Sequence, residues 1–313
     1  MERSAAPAVG SAPSLRSVPA DVPRLSAELL VEADVQLGEG PVWDDQRQCL
    51  WWVDILGGTV HRTDPATGRD EVLPIGQYVG AVGLRAGGGL IAALRDGFAT
   101  VDPASGAVEI VAPVESEERT NRMNDGKVDP GGRFWAGTMG TDQRPAAGTL
   151  YRLDPDLRVT PMVPGVSISN GLDWSLDGRT MYYIDTPTMR VDRFAFDPAS
   201  GDITDRAAAV IIRQGAGLPD GMTVDAEGYL WVALWDGWCV ERYSPEGRLD
   251  RRVDVPAAQA SSCVFGGPDL DLLFITSAQE GYPPGGLPDQ PLAGGLFVCK
   301  PGVRGRAPFR FDG

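Results

Sequence analysis

Four short segments of the sequence place an acidic or amide side chain directly beside glycine. They are LGEGP with Glu39, RMNDGK with Asn124 and Asp125, SNGL with Asn170, and LPDGM with Asp220. Taken singly, Asn-Gly and Asp-Gly are ordinary turn signals, because both residues of each pair tolerate a positive φ. Taken together, carboxylate and amide oxygens form the donor set of a hard divalent cation that keeps open positions for water or a ligand. If the fold brings these side chains together, they predict a metal site.

The histidine content limits the chemistry further. The chain has one histidine, His61, within WWVDILGGTVHRTDPATG, a pattern of two strands and a hairpin. We expect a strand-surface histidine there rather than the base of a Ser-His-Asp or Cys-His nucleophile. Sites with several histidines are excluded, so a metal must be held by carboxylates, amides, carbonyls and water. One divalent cation is predicted as cofactor, Ca²⁺ before all others, and Zn²⁺, Mn²⁺, Mg²⁺ and Fe²⁺ also accept oxygen ligands.

Composition and charge narrow the class of partner. The 313 residues include 28 Lys plus Arg and 43 Asp plus Glu, for a net charge of −15. This charge disfavours nucleic acid and anionic membrane surfaces, and it suits a small neutral molecule or a cation. No apolar run of about 18 residues is present, so no membrane span is predicted. Four separated cysteines without a CxxC pair predict buried free thiols and a cytoplasmic location. No obligate protein partner is inferred.

From about residue 32 onward the chain repeats one unit of short strands. Runs rich in Val, Leu, Trp, Tyr and Phe are separated by Asp-Gly, Pro-Gly-Gly and Asp-Pro turns, and helical periodicity is nearly absent. The units recur every 40 to 50 residues or so, the period of propeller blades, with starts near Pro41, Val82, Lys127, Leu172, Met222 and Val264. We predict an all-β, six-bladed β-propeller of four-stranded antiparallel blades, and a large β-sandwich is the alternative.

The same pattern divides the chain into a tail and one domain. Residues 1–27, rich in Ala, Pro, Ser and Val, are expected to form a disordered tail, and residues 28–313 to form the propeller. The strand-like VEADVQ at 31–36 is expected to close the ring against GGLFVCKPG at 294–302. The four motifs introduce the strands predicted to line the central channel, and each unit has its own hairpin further on. Their side chains should therefore converge at one mouth.

Longer stretches around the four motifs resemble one known family. They are LGEGPVWDD at 37–45, RMNDGKVDPGGRFWAGTM at 122–139, SNGLDWSLDGRTMYYIDT at 169–186, and LPDGMTVDAEGYLWVALW at 218–235. In order and spacing, the region from about Glu32 to Gly302 resembles the regucalcin and gluconolactonase family, the sugar lactonases of the senescence marker protein type. The resemblance implies a six-bladed propeller with one metal on its axis.

Carried over residue by residue, the resemblance implies a metal site and a substrate site. Glu39, Asn170 and Asp220 would be the metal ligands, and Arg122, Asn124 and Asp142 the substrate contacts. Asp220 is also our candidate for the catalytic base, because it is a carboxylate at the predicted channel mouth.

The predicted function is that of a metal-dependent hydrolase. It would open a sugar lactone of the gluconolactone, xylonolactone or arabinolactone type to the aldonic acid. The alternatives are a metal-dependent esterase or phosphotriesterase on the same propeller, and a non-catalytic calcium-binding propeller. The Pro- and Gly-rich segment EGYPPGGLPD at 280–289 is expected to lie over the site, where loops normally determine substrate choice.

Overall fold

The computed structural model describes residues 19, 21–283 and 286–313. In this part of the chain, 25 β-strands form six sheets, and the helical content is a single 3-10 turn, η1 (Thr186–Thr188). The innermost strand of each sheet packs against those of its two neighbours, so that the sheets close into a ring around a channel. The prediction of a six-bladed propeller with four-stranded antiparallel blades is confirmed.

The strands are numbered along the chain. Two early strands, β1 (Arg24–Ser26) and β2 (Glu28–Val31), join blades formed later. Blade 1 contains β3 (Gly38–Asp44), β4 (Cys49–Asp54), β5 (Thr59–Asp64) and β6 (Arg69–Pro74), and blade 2 contains β7 (Val79–Leu84), β8 (Leu90–Leu94), β9 (Gly97–Asp102) and β10 (Ala107–Pro113). Blade 3 contains β11 (Asn121–Val128), β12 (Phe134–Gly140), β13 (Gly148–Leu153) and β14 (Val159–Val166), and blade 4 contains β15 (Ser169–Trp174), β16 (Thr180–Asp185), β17 (Arg190–Phe196) and β18 (Ile203–Ile211). Blade 5 contains β19 (Leu218–Val224), β20 (Leu230–Trp235), β21 (Cys239–Tyr243) and β22 (Leu249–Asp254), and blade 6 contains β23 (Ala260–Gly266), β24 (Leu272–Ser277) and β25 (Leu296–Cys299).

Three outer hairpins owe their shape to the repeated sequence Asp-Pro-Ala-Thr/Ser-Gly. In each hairpin, the aspartate carboxylate accepts a hydrogen bond of 2.9 Å from the backbone N–H two residues further on. The three aspartates are Asp64, Asp102 and Asp197. The glycine four residues after each aspartate has a φ of 70 to 75°, which a side chain would oppose. The turn chemistry predicted from sequence therefore sets where the outer strands of these blades begin.

The ring is closed by a strand from the beginning of the chain. β2 pairs antiparallel with β25, with Glu28 opposite Val298 and Leu29 opposite Phe297. Closure by an N-terminal strand is as predicted, but the strand is 28–31 and not 31–36. Asp34 has a left-handed φ of 52°, so the chain is not extended there and leaves the blade before residue 36.

Part of the predicted tail belongs to the fold. β1 runs parallel to β22 and adds a fifth strand to the outer edge of blade 5. Arg24 forms a two-pronged ion pair with Asp254, at 2.8 and 3.1 Å, and Ala27 N–H donates to the Asp254 carbonyl at 2.8 Å. The prediction of a disordered tail is therefore wrong for residues 24–26. Residues 1–18 and 20 of that tail lie outside the described residues.

The C-terminal segment packs at the end of the channel opposite the four motifs. Phe311 is fully buried, and its N–H donates to the Leu84 carbonyl at 2.8 Å. Arg306 forms an ion pair with Asp173, on the inner strand of blade 4. A cavity at the motif end of the channel is partly open to solvent.

The single histidine and the cysteines are part of the packed interior. His61 is 4% exposed, its ring centroid lies 4.2 Å from that of Trp52, and its Nδ1 lies 2.7 Å from Asp70 Oδ2. It is thus a buried strand histidine and not a surface one as expected, because a carboxylate on the next strand binds its ring. All four cysteines are buried and free, as predicted. The described residues form no helix with the length and hydrophobicity that crossing a membrane requires.

Candidate functional site

The open end of the channel is a cavity lined by polar side chains from four blades. It encloses about 540 Å³ of empty space, partly open to solvent, which is within the usual range for small-molecule sites. Five of the residues proposed from sequence line it, namely Glu39, Arg122, Asn124, Asn170 and Asp220. Each is only 4 to 6% exposed. The side chains therefore meet at one mouth, as the repeat predicts.

A β-bulge in each inner strand interrupts the hydrogen-bonded ladder at or beside these side chains. The register shifts fall between Glu39 and Val42, between Met123 and Gly126, between Ser169 and Leu172, and between Pro219 and Met222. Asn124, Asn170 and Asp220 occupy the unpaired positions. Because a bulge bends its strand and re-aims the side chain, these residues reach the channel. The equivalent shifts in β7 and β23 enclose Gly80 and Ser261, so blades 2 and 6 contribute small side chains at this level.

The glycines after Asn170 and Asp220 allow close packing and do not make turns. Neither Gly171 nor Gly221 has a positive φ. A Cβ atom on Gly171 would lie 2.6 Å from the Met222 nitrogen, and one on Gly221 would lie 2.0 Å from Ser262 Oγ. Neighbouring inner strands approach each other too closely for any side chain at these points. The turn interpretation of these two motifs is therefore wrong.

Glu39 and Asp220 form a buried pair of like charges. Burial, and after it the Asp125 charge, raise the pKa of Glu39 to about 8, although the Gly40 N–H, 3.0 Å from Glu39 Oε2, acts in the opposite direction. The pKa of Asp220 is likewise raised well above its ordinary value, mainly by burial and secondly by the Glu39 charge. Without a cation beside them, burial and mutual repulsion therefore favour the protonated forms of this pair.

A chain of hydrogen bonds fixes which way the Asn170 amide points. Thr186 Oγ1 donates its one proton to the Pro219 carbonyl at 2.8 Å, so it accepts the 2.8 Å hydrogen bond from Asn170 Nδ2. Asn170 Oδ1 therefore lies on the opposite side, where Asn124 Nδ2 donates to it at 2.9 Å. A carbonyl oxygen has two lone pairs, so one lone pair of Asn170 Oδ1 stays available to a cation.

Arg122 presents unused donors to the cavity. Its Nη1 donates to Asn124 Oδ1 at 2.5 Å and to the Met123 carbonyl at 3.0 Å. None of the described residues accepts a hydrogen bond from its Nε or Nη2. Burial lowers the pKa of Arg122, and the carboxylates of Glu280 and Glu39 act against that decrease. The guanidinium group is therefore a buried cation with its outer edge toward a ligand.

The structure does not bring Asp142 to the cavity. Its side chain is 63% exposed on the loop after β12, and it pairs with Arg144 at 2.9 Å. The next residue, Gln143, lines the cavity instead. Thr186 and Glu280 also line the cavity, from segments between strands, and were not predicted from sequence. Only the unusual composition of 280–289 indicated one of them, because the loops between the second and third strands of the blades do not share the repeat.

Asp125, although next to Asn124, belongs to the other half of the channel. It lines a separate cavity together with Lys127, Asp173 and Arg306. Lys127 Nζ lies 3.2 Å from Asp173 Oδ2, and Arg306 pairs with the same carboxylate. Burial raises the pKa of Asp125 to about 6, and Lys127 opposes that increase. Lysine and arginine balance the carboxylates there, so the uncompensated acidic groups are those at the mouth.

Residues 37–279 match the family described as the SMP-30/Gluconolactonase/LRE-like region. This stretch is more than half of the chain, and it includes the four motifs and the cavity residues from Glu39 to Asp220. The chain belongs to this family.

Relatives of this family member resemble it over nearly their whole length. Regucalcin of Xenopus laevis is 40% identical over 296 residues, which are 92% of this chain and 99% of the relative. The structure of the calcium-binding protein regucalcin from Agrobacterium tumefaciens superposes with a TM-score of 0.88 at 32% identity, covering 93% of this chain and 98% of that one. A gluconolactonase of Xanthomonas campestris gives a TM-score of 0.71 at 25% identity, covering 89% and 94%. The likeness therefore extends to all six blades.

The donor set of this family member fits a divalent cation. Glu39 and Asp220 offer carboxylate oxygens, and Asn170 offers an oriented amide oxygen. Two buried like charges cost free energy unless a cation compensates them, so a doubly charged ion on hard oxygen donors matches the site. The described residues contain no group of three or more His, Cys, Asp and Glu side chains placed to hold a metal. The third protein ligand would therefore be the amide of Asn170.

We expect the metal-free protein to lose stability as the pH rises and Ca²⁺ to counteract this loss. The pKa of Glu39 is raised from 4.5 to about 8, so its proton stabilises the folded state fully below the lower value. That contribution disappears as the pH rises through the higher value, and Asp220 acts in the same direction. Added Ca²⁺ binds the ionised carboxylates and should raise Tm more at a pH of about 8.5 than at about 6. Differential scanning calorimetry measures both Tm values.

The matched control for this experiment is Glu39→Gln, which keeps the size of the side chain and removes its titration. In this variant the fall of the metal-free Tm with pH should be shallower than in the wild type. Equal Ca²⁺-induced shifts of Tm at the two pH values would contradict the assignment of the carboxylate pair to a cation.

Proposed function

We propose that this protein is a metal-dependent hydrolase that opens a neutral sugar lactone, of the gluconolactone, xylonolactone or arabinolactone type, to the aldonic acid. One observation carries the proposal. The buried carboxylates of Glu39 and Asp220 meet the Asn170 amide oxygen and the unused donors of Arg122 in a single cavity of small-molecule size. The family description and the Xanthomonas campestris neighbour, a gluconolactonase, support it. A cytoplasmic location, and the lack of nucleic-acid, membrane or protein partners, stay predictions.

Glu39, Asn170 and Asp220 would hold the cation. When bound, such an ion supplies Lewis-acid polarisation of a carbonyl group, which is typically worth several kcal/mol of charge stabilisation. Glu39 would mainly compensate the positive charge of the cation. Its Oε2 already accepts a hydrogen bond from the Gly40 N–H at 3.0 Å, which makes it less suited than Asp220 to take a proton. Thr186 keeps the Asn170 oxygen oriented.

Asp220 would act as the general base. The water oxygen forms a bond to the lactone carbonyl carbon while the Asp220 carboxylate takes one proton from that water. The ester bond to the ring oxygen then breaks, and the proton passes from Asp220 to that oxygen, which leaves as a hydroxyl group. The products are one carboxyl group and one hydroxyl group on the opened chain. A base within hydrogen-bond reach typically contributes about 10²–10⁴ in rate.

Arg122 and Asn124 would orient the sugar. The Nε and Nη2 donors of Arg122 suit ring hydroxyls and the new carboxylate, because the guanidinium group is planar and rigid. The amide of Asn124 is largely used within the protein, since its Nδ2 donates to Asn170 Oδ1 and to the Ser169 carbonyl and its Oδ1 accepts from Arg122. One lone pair of its Oδ1 stays available to a hydroxyl group.

A second candidate is a calcium-binding propeller without catalysis. It is favoured by the Agrobacterium tumefaciens neighbour, which is named as a calcium-binding protein. The same cavity would also suit hydrolysis of another ester or of a phosphotriester, because a fold and a metal site do not determine the substrate.

A substrate panel separates these candidates. Acid release from aldonolactones, simple carboxylic esters and phosphotriesters is followed by pH-stat titration, with and without a chelator. We expect aldonolactones to be hydrolysed at least about tenfold faster than the other classes, and chelation to abolish this activity. No turnover of any substrate, together with stabilisation by Ca²⁺, would favour the binding protein. Faster cleavage of phosphotriesters would favour the esterase.

A further inference from the structure

Glu280 lies at the mouth of the channel, and its backbone is held in place by hydrogen bonds. It follows β24 and lines the same cavity as Arg122 and Asp220. Its N–H donates to Gln259 Oε1 at 2.8 Å, and its carbonyl accepts from Gln259 Nε2 at 3.1 Å. Gln259 is itself buried, with 6% exposure. One amide side chain therefore holds both backbone groups of Glu280, which sets where the carboxylate enters the cavity.

The Glu280 carboxylate shares the cavity with Arg122 without pairing with it. Its charge favours the cationic form of Arg122 and so opposes the decrease that burial causes in the pKa of that group. Among the described residues, no ion pair within 4.0 Å joins Glu280 to Arg122. An acceptor and a donor thus face the same cavity with a gap between them. Such a gap accommodates groups that both donate and accept hydrogen bonds.

We propose that Glu280 is a specificity-determining residue that, together with Arg122, binds neighbouring hydroxyl groups on the ring of a neutral polyhydroxylated lactone. This inference rests on the proposed function and deepens it. A hydroxyl group donates to the Glu280 carboxylate and accepts from Arg122 Nε or Nη2. With a divalent cation balancing Glu39 and Asp220, the remaining charges of the mouth are Arg122 and Glu280, which cancel. A phosphate or carboxylate group in place of one of these hydroxyl groups brings a negative charge beside Glu280 and has no hydrogen to donate to its carboxylate, so such a lactone is a poor substrate.

Glu280→Gln tests the inference, with Asp289→Asn as the matched control. Asp289 is an exposed carboxylate on the same loop that does not line the cavity. For a hydroxylated aldonolactone we expect Glu280→Gln to lower kcat/KM about tenfold, mainly through KM, because the ring hydroxyl group then donates to a neutral amide oxygen and no longer to a charged carboxylate. For δ-valerolactone, which has no ring hydroxyl groups, kcat/KM should stay within about twofold. In Glu280→Gln, the kcat/KM for a phosphorylated aldonolactone should rise relative to that for the neutral aldonolactone. Asp289→Asn should change none of these ratios.

Several results would overturn the inference. An equal decrease of kcat/KM for the hydroxylated and unsubstituted lactones in Glu280→Gln would mean that Glu280 acts on the reaction centre or on folding and does not select hydroxyl groups. Unchanged kcat/KM values would remove it from the site. Binding of the cyclic polyol 1,5-anhydroglucitol to Ca²⁺-saturated protein, measured by calorimetry, is a readout without turnover. Equal affinity in wild type and Glu280→Gln would reject the role of Glu280 by itself, whereas the absence of any lactone turnover in the wild type would reject the proposed function.

Discussion

Replacing Asp220 by asparagine is expected to lower kcat for sugar lactone hydrolysis by about 10²–10⁴-fold, because the amide keeps an oxygen donor but cannot take a proton. The protein should still fold. Asp220 is a buried carboxylate with a raised pKa next to Glu39, so neutralising it relieves repulsion between like charges. Steady-state kinetics on an aldonolactone, with circular dichroism and Tm for folding, measures both effects.

Two further variants make the Asp220 experiment specific. Asp236→Asn is the control, because Asp236 follows β20 in the same blade, is exposed, and has a left-handed φ of 58° that asparagine tolerates. Its kcat should equal that of the wild type. Asp220→Ala removes the oxygen donor as well and should weaken Ca²⁺ binding more than Asp220→Asn does. Full activity in Asp220→Asn would reject Asp220 as the base.

Removing the metal is expected to reduce turnover to the uncatalysed background. Without a cation, burial and mutual repulsion favour the protonated forms of Glu39 and Asp220, so the base is neutralised at the same time as the Lewis acid is lost. Protein treated with a chelator and dialysed should regain activity on addition of a single metal, tested in turn with Ca²⁺, Zn²⁺, Mn²⁺, Mg²⁺ and Fe²⁺. The order of the restored kcat values identifies the ion that suits this donor set.

The control for metal removal is a titration of Glu39→Gln, which should need a higher metal concentration for half-maximal activity, because one of two charged ligands is lost. Metal content is measured by mass spectrometry on the same samples. Full turnover in protein that contains a few per cent of one metal equivalent would contradict a metal-dependent reaction.

The blades and the convergence of the four motifs could be predicted because they repeat. Each inner strand begins one unit, so the unit starts near Pro41, Leu172 and Met222 all fall within strands that line the channel. The Asp-Pro-Ala turns depend on contacts within five residues, such as the 2.9 Å hydrogen bond from Ala66 N–H to Asp64. Local interactions of this kind are readable from sequence.

The features that were missed depend on contacts between distant parts of the chain. β1 is held at the edge of blade 5 by the ion pair of Arg24 with Asp254, which are 230 residues apart. The bulge at Asn170 and the close approach at Gly171 arise from the packing of neighbouring blades, while the sequence shows only a turn-like dipeptide. Asp142 was assigned by resemblance alone, and in this chain Arg144 pairs with it outside the cavity. The loops that join the second and third strands of a blade have no periodic pattern that could indicate which residue faces the site.

Anomalous diffraction from crystals grown with Mn²⁺ would locate the cation on which the proposed reaction depends. We expect one anomalous peak at the channel mouth, within about 2.6 Å of oxygen atoms of Glu39, Asn170 and Asp220. A protein that hydrolyses lactones at full rate, but whose crystals show no peak between these three side chains, would rule out a catalytic cation at this position.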